Sequence, residues 1–218
     1  MKKIVLTMSV WLCAMGITAQ EFSVGADVVS SYVWRGAYQG GGASIQPSLT
    51  FSSGGFSIGA WGSSNFSGGN KEVDFSLAYA VGGVSLAITD YWWEGENALN
   101  YFNYHNAHHL EAGLSYTLPE SFPLRLAWNT MFIEPDSQFS TYIEAAYPFE
   151  VKGVNLEATL GITPWEGIYA DRLAISNISL KASKEIKITD SFSLPVFSQI
   201  ILNPDTEDIF LVFGISLK

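Results

Sequence analysis

The segment His105-Asn-Ala-His-His-Leu-Glu111 holds the densest group of side chains able to bind a metal or move a proton. On a β-strand, His109 and Glu111 point to one face and His108 points to the other. A zinc site would need further ligands from neighbouring strands, such as Asp90 or Asp74, and the spacing matches no recognised zinc signature. We therefore favour a polar pair on one face of a strand and predict neither a metal nor any other cofactor.

Two arginines, Arg35 and Arg125, fall on the same predicted sheet face as many carboxylates. The remaining candidates for the lining of an interior are Asp27, Glu72, Asp74, His109, Glu111, Glu144 and Glu157. The arginines could form a selectivity constriction, or they could pair with Asp27, Glu72 or Asp74 and plug the interior. We favour pairing, because so many opposite charges share that face.

Catalysis on lipid would require an activated serine and a histidine that reach the same surface. The neighbours of His108 on its own face are Leu110 and Ala112, and the chain has no His-x-Ser pair. We therefore expect no enzyme activity, and keep a lipid-modifying outer-membrane enzyme as the least favoured alternative.

Aromatic residues gather near the predicted strand ends. This group comprises Trp34, Trp92, Trp93, Tyr101, Tyr104, Trp165 and Tyr169. Such residues can stack on glycans, but they more often form the aromatic girdle of a membrane protein. We predict girdle or loop contacts for them.

A hydrophobic pattern of period two recurs along almost the whole chain and predicts β-strands. Near the C-terminus, Ile209, Leu211 and Phe213 share one face, opposite Val212 and Gly214. We predict twelve strands, with ten as the alternative, and expect a bulge near Asn177. The segments are Phe22–Trp34, Ala43–Ser52, Gly55–Ser63, Lys71–Val81, Gly83–Trp93, Ala107–Leu118, Phe122–Ile133, Ser137–Phe149, Gly153–Thr163, Arg172–Ser183, Ser191–Leu202 and Ile209–Lys218.

The connections alternate between short turns and longer segments rich in Gly, Asn, Asp and aromatics. This alternation is typical of an outer-membrane barrel with short periplasmic turns and longer extracellular loops. Packing the polar faces into a sandwich core would bury unpaired ions, and the apolar faces of twelve strands would overfill a soluble barrel. We predict an all-β chain that forms a closed antiparallel transmembrane β-barrel.

The first residues resemble an export signal. Lys2-Lys3 precedes a largely apolar run, Ile4 to Gly16, and small residues follow near Ala19. We predict a signal peptide over residues 1–19 and a barrel over residues 20–218. The only cysteine, Cys13, lies in the signal, and no stretch approaches the 18 apolar residues of a membrane helix.

The overall composition agrees with a membrane barrel. The 218 residues are 48% hydrophobic and 15% charged, against roughly 25% charged for soluble domains. The net charge of −10 argues against a nucleic-acid partner. We expect outer-membrane lipid as a partner, with small polar solutes or glycans as further candidates, and the sequence leaves the oligomeric state open.

Two motifs resemble a known family. They are Ser31-Tyr-Val-Trp-Arg-Gly36, followed by Gln46-Pro47, and Gly55-Phe-Ser-Ile-Gly-Ala-Trp-Gly-Ser63, followed by Glu72-Val-Asp74. They resemble the Gcw_chp family of bacterial conserved hypothetical proteins and cover roughly residues 23–93. The resemblance implies an outer-membrane barrel and no established activity.

Taken together, these features predict a protein of the outer membrane of a Gram-negative bacterium. The leading hypothesis is a porin-like channel or binding protein for small polar solutes, with neutral or cationic solutes favoured by the acidic lining. The alternative is a non-conducting structural or surface-interaction barrel with a plugged interior.

Overall fold

The computed structural model describes residues 20–68, 71–94, 101–134 and 138–217, and the predicted signal peptide lies outside these ranges. The described chain is almost entirely β-structure, with one short helix, α1, at Tyr104–Ala107. The strands are β1 Glu21–Val29, β2 Val33–Trp34, β3 Ala37–Tyr38, β4 Ser44–Ser53, β5 Phe56–Asn65, β6 Lys71–Val81, β7 Val84–Glu94, β8 His108–Thr117, β9 Arg125–Ile133, β10 Thr141–Val151, β11 Val154–Thr163, β12 Ala174–Lys187, β13 Ser193–Asn203 and β14 Asp208–Leu217.

Twelve of these strands form one closed antiparallel barrel, which confirms the predicted fold and the larger of the two strand counts. From β4 to β14 each strand pairs with the next along the chain, and β1 closes the ring between β14 and β4. β2 and β3 form a separate hairpin between β1 and β4. No helix among the described residues is long and apolar enough to cross a membrane.

Side chains alternate between the two surfaces of the barrel, as the period-two pattern predicts. In β14, Leu211 and Phe213 point outward and are 58% and 56% exposed, whereas Val212 and Gly214 are buried inside. The outward set is apolar in strand after strand, while the interior holds most of the buried polar and charged residues.

The two ends of the barrel differ in their connections. One end, here the turn end, carries two-residue links at Gly54-Gly55, Gly82-Gly83 and Lys152-Gly153, with positive φ at both positions of each. This conformation is that of the type I′ hairpin, whose twist matches that of the flanking strands. The opposite end, here the loop end, is where β1, β5, β7, β9, β11 and β13 finish, and its described connecting residues include 30–43, 66–68, 101–107, 138–140, 164–173 and 204–207.

The N-terminal segment departs from the prediction. The expected strand Phe22–Trp34 ends at Val29, and the chain then forms the β2–β3 hairpin. At the other predicted irregularity, the register of β11 against β12 shifts between Gly161 and Ile162, opposite Asn177. The sequence therefore located the bulge correctly but missed the end of the first strand.

Candidate functional site

The centre of the candidate site is the β2–β3 hairpin, whose turn is Arg35-Gly36. Arg35 has φ 51° and Gly36 has φ 87°, so this turn too is of type I′. A Cβ atom on Gly36 would lie 1.8 Å from the carbonyl oxygen of Ser176, so the backbone approach there requires glycine. The Trp-Arg-Gly part of the N-terminal motif therefore encodes a tight turn that presents an arginine.

The hairpin occupies the interior of the barrel at its loop end. The Tyr32 ring lies 5.5 Å from that of Trp61 in β5, and the Tyr38 ring lies 6.1 Å from that of Phe210 in β14. Asn203 of β13, the strand next to β14, donates a hydrogen bond of 3.2 Å to the carbonyl of Gly36. The hairpin thus contacts inward-facing side chains of strands on both sides of β1, which places it inside the ring. We call residues 30–43 the inner segment.

Arg35 crosses the interior to Glu111 of β8, which lies on the far side of the ring from β1. The two side chains form a bidentate ion pair, with 2.9 Å between Nη2 and Oε1. Arg35 also donates to the hydroxyl of Tyr169. The paired side chains are only 11% and 5% exposed, so the pair is largely desolvated.

Aromatic rings enclose this ion pair. The guanidinium carbon lies 4.5 Å from the centre of the Trp34 ring and 4.8 Å from that of Tyr142, within cation–π range. Trp34 also packs against Tyr91 and Tyr169, at 5.4 and 5.6 Å between ring centres. The interior at the loop end is thus filled by a cation, a carboxylate and aromatic rings.

Three of the predicted girdle residues belong to this cluster instead. Trp34, Trp93 and Tyr169 pack around the buried residues Tyr91, Met131 and Tyr142 inside the barrel. Trp34 was misplaced because the first strand ends at Val29, and the hairpin then resets which side chains face inward. Trp93 follows the outward-facing Trp92, so simple alternation already places it inside.

The other four predicted girdle residues lie on the outer face. The Trp165 ring lies 6.1 Å from that of Trp128, and the Trp92 ring lies 5.8 Å from that of Tyr101. Tyr104 of α1 also lies there, and its hydroxyl donates to Asp90. This hydrogen bond, reinforced by burial, raises the pKa of Tyr104 to about 12.

The predicted carboxylates at the loop end are buried. Glu72 and Asp74 of β6 are 6% and 8% exposed, and each has one oxygen with no hydrogen bond to the described residues. Burial raises the pKa of the nearby Tyr32 phenol, and the charges of Glu72 and Asp74 add to that shift. Arg35 does not pair with Asp27, Glu72 or Asp74, the predicted partners, because its hairpin points across the ring to Glu111.

The turn-end half of the interior is more open. Arg125 of β9 donates a hydrogen bond of 2.7 Å to Glu144 of β10, and the Arg125 side chain is 40% exposed. From this pair, a cavity of about 230 Å³ extends toward the loop end as far as Arg35. Elsewhere in the wall, Glu157 faces Lys181 across the β11–β12 pair, and Asp27 lies opposite Gln46.

The histidine segment divides as the alternation predicts. His109 packs on Trp93 inside, with 4.2 Å between ring centres. His108 is fully buried on the outer side, where Nδ1 lies 2.8 Å from Asp90 Oδ1 and Nε2 lies 2.7 Å from the carbonyl of Tyr101. Oxygen atoms engage both nitrogens, so neither is available to a nucleophile. Within the described residues, no three His, Cys, Asp or Glu side chains group as metal ligands.

One serine sits in a spacing that hydrolases use. Gly55-Phe-Ser-Ile-Gly59 matches Gly-x-Ser-x-Gly, a motif that acts at a strand-to-helix turn beside a histidine. Here Ser57 lies within β5 and pairs with Ser52 and Ala78 of the flanking strands. The match is therefore part of a β-strand, and it provides no catalytic arrangement.

The sequence reasoning missed Tyr91 and Tyr142, and it considered Asp90 only as a metal ligand, not as the hydrogen-bond partner of His108 and Tyr104. Tyr142 is 1% exposed, and it falls on the inward face that the predicted pattern assigned to Glu144. Tyr91 likewise shares the inward face of β7 with Trp93. Alternation within the strands was thus a sufficient signal for both tyrosines, whereas the outward Asp90 breaks the apolar pattern of its face.

A comparison with known protein families identifies the family of this chain. The model of a family described as bacterial protein of unknown function (Gcw_chp) matches residues 14–188. The chain belongs to the Gcw_chp family. No curated protein sequence matches it. The family match covers the inner segment with Arg35 as well as Glu111, Tyr142 and Tyr169, and it confirms the resemblance seen in the N-terminal motifs.

Proposed function

We propose that this Gcw_chp protein is an outer-membrane β-barrel of a Gram-negative bacterium whose inner segment closes it to solutes. The membrane assignment is supported by the closed sheet and its apolar outer face, on which Phe22 and Val24 are 72% and 70% exposed. Soluble monomers rarely expose apolar patches of more than a few hundred Å². The predicted export signal over residues 1–19 supports the same location.

In this orientation the turn end faces the periplasm and the loop end faces outward. The outward aromatic residues Trp92, Tyr101, Tyr104 and Trp165 then lie toward the outer membrane surface. Tyrosine and tryptophan are enriched at that depth, because a ring with one polar atom suits the boundary between lipid and water.

The observation that carries the closed state is the bidentate pair of Arg35 with Glu111 inside its aromatic cluster. A hydrated solute would have to displace rings that pack against one another, and it would have to separate two desolvated charges. Breaking one partner from a buried pair is strongly unfavourable. We therefore expect the wild-type barrel to be almost silent in conductance measurements.

The test compares wild-type protein with a variant in which residues 31–42 are replaced by a Gly-Ser linker of the same length. Both are inserted into planar lipid bilayers. The variant should conduct stably and favour cations, because Glu72, Asp74 and Glu111 would then line an open path. An Arg172→Ala variant, changed at an exposed ion pair of the loop end, serves as the control and should stay silent. Large wild-type channels would overturn the closed-barrel proposal.

A second candidate is a porin-like or binding role for small polar solutes, with the inner segment as a movable gate. The polar cavity on the turn-end side of Arg35 favours this role, because an inner segment that only fills the barrel does not require a cavity beside it. Solute-dependent opening of wild-type channels in the same bilayers would support this role.

A further inference from the structure

The cavity at the turn end has the features of a binding site. Its volume is about 230 Å³, which corresponds to roughly eight water molecules at about 30 Å³ each. It ends at Arg35 and Tyr142, and it opens beside Arg125, which is partly exposed. A solute therefore reaches the cavity from the turn end without passing the inner segment.

Small side chains create the space. Ala87 of β7 and Gly113 and Ser115 of β8 line the cavity beside Asn129 of β9 and Glu144 of β10, on four consecutive strands. A Cβ atom on Gly113 would come within 2.9 Å of Asn129 Oδ1. Larger residues on this wall would fill the cavity, as the aromatic rings do nearer the loop end.

Several hydrogen-bonding groups of the cavity are not used by the protein. Glu144 already accepts from Arg125 at 2.7 Å and from Tyr142 at 3.1 Å, one bond on each oxygen. Arg125 uses a single nitrogen in that bond, and the Ser115 and Asn129 side chains make no hydrogen bond to the described residues. Arg125 therefore keeps N–H groups that can donate to a ligand, and the Ser115 hydroxyl and the Asn129 amide can each donate or accept.

Arg125 is the strongest of these unused donors. Arg35 is already engaged by Glu111 through both terminal nitrogens, whereas Arg125 keeps most of its planar fork of N–H groups. Such a fork matches a carboxylate, which accepts two parallel hydrogen bonds. The Ser115 hydroxyl and the Asn129 amide lie deeper in the cavity and suit a second polar group at the other end of the ligand.

We propose that this cavity binds a small carboxylate, with its carboxyl group on Arg125 and its other end toward Ser115 and Asn129. The inference goes beyond the proposed function, because binding needs neither an open path nor a membrane. Only the compartment from which the ligand comes, the periplasm, rests on that function.

The experiment titrates full-length protein, folded in detergent micelles, with succinate in a calorimeter. Succinamide, the neutral analogue, and 1,4-diaminobutane, a cation of similar length, are the matched probes. Succinate should bind saturably at one site per chain, and both analogues should bind at least tenfold more weakly. Absent succinate binding, or stronger binding of the diamine, would overturn the inference.

Two variants locate the site. Arg125→Gln should weaken succinate binding at least tenfold, and Ala87→Leu should abolish it by filling the cavity while leaving every charge in place. Arg172→Gln, at the loop end, should bind as the wild type does. If both cavity variants bind normally, the site lies elsewhere and the inference fails. If the wild-type protein conducts and still binds succinate, only the proposal of a closed barrel fails. If it does not conduct and does not bind succinate, only the proposal of a carboxylate site fails.

Discussion

Arg35 is held inside the barrel by a dense set of contacts. Its positive φ is one that a non-glycine residue seldom adopts. The surrounding contacts hold the residue there: two hydrogen bonds to Glu111, one to Tyr169 and the faces of two rings. The conformation and the ion pair thus depend on each other.

Replacing Arg35 by Ala should destabilise the barrel, because Glu111 would keep its burial and lose its partner. We expect a loss of about 3–5 kcal/mol, the range for breaking one side of a buried ion pair. Urea unfolding in lipid vesicles, followed by tryptophan fluorescence, measures it.

The matched control is Arg172→Ala, in which the arginine is 63% exposed and pairs with Asp205. This change should cost less than about 1 kcal/mol. The double variant Arg35→Ala, Glu111→Gln should recover part of the loss. Equal losses in the free energy of unfolding for Arg35→Ala and Arg172→Ala would mean that the buried ion pair stabilises the barrel no more than an exposed one does.

At the level of elements, the strands follow from the period-two pattern and the inner segment does not. Alternation in β14 gave the correct facing of Leu211 and Phe213, because each strand has one apolar face. Ser30 interrupts the apolar face after Val28, but the alternation resumes at Tyr32 and Trp34. The pattern therefore read as one long strand and did not show that β1 ends at Val29. The turn itself carries Arg-Gly, which lacks the Asn-Gly or Asp-Gly signal of most type I′ hairpins.

The candidate site was therefore predictable in composition but not in connectivity. Arg35 and Glu111 were both expected inside, yet their pairing depends on a hairpin that crosses the ring. The same crossing places Trp34 in the interior, where a strand of the predicted length would have turned it outward. Pairings between residues far apart in the chain follow from topology, which local patterns do not encode.

The facing of β14 gives a prediction about membrane insertion. Leu211→Arg and Phe213→Arg should each destabilise the inserted barrel by about 2–4 kcal/mol, because a cation near the lipid midplane is poorly solvated. Ser216→Arg, on the inner face of the same strand, should have a smaller effect. Folding yield into lipid vesicles compares the three, and equal losses would contradict the proposed contact with lipid.

For the whole molecule, a closed sheet with no free edge implies a cooperative and persistent structure. In a lipid environment every backbone group must find a partner within the protein, and a barrel achieves this without an unpaired strand. The Gcw_chp chain combines such a ring with an interior that is filled at one end and recessed at the other.

The intact protein should therefore behave as an outer-membrane barrel does during fractionation. It should sediment with the outer membrane, resist alkaline extraction and migrate differently on gels when it is not heated. Recovery as a soluble periplasmic monomer would contradict the membrane assignment, whatever its conductance.

The closure of the ring has a consequence for how the protein assembles. β1 pairs with β14 only from Ala26 to Val29, whereas it pairs with β4 over its full length. Beyond Val29, Ser30 of the inner segment continues the join through two hydrogen bonds to Phe213 of β14, and the bond from Asn203 to Gly36 ties the segment to β13. The segment that fills the interior thus also reinforces the shortest strand pairing of the barrel. We expect Ala26–Val29 amides to exchange with deuterium faster than those of β11, and faster still when Ser30→Ala is combined with replacement of residues 31–42, because β1 and β14 then separate more readily.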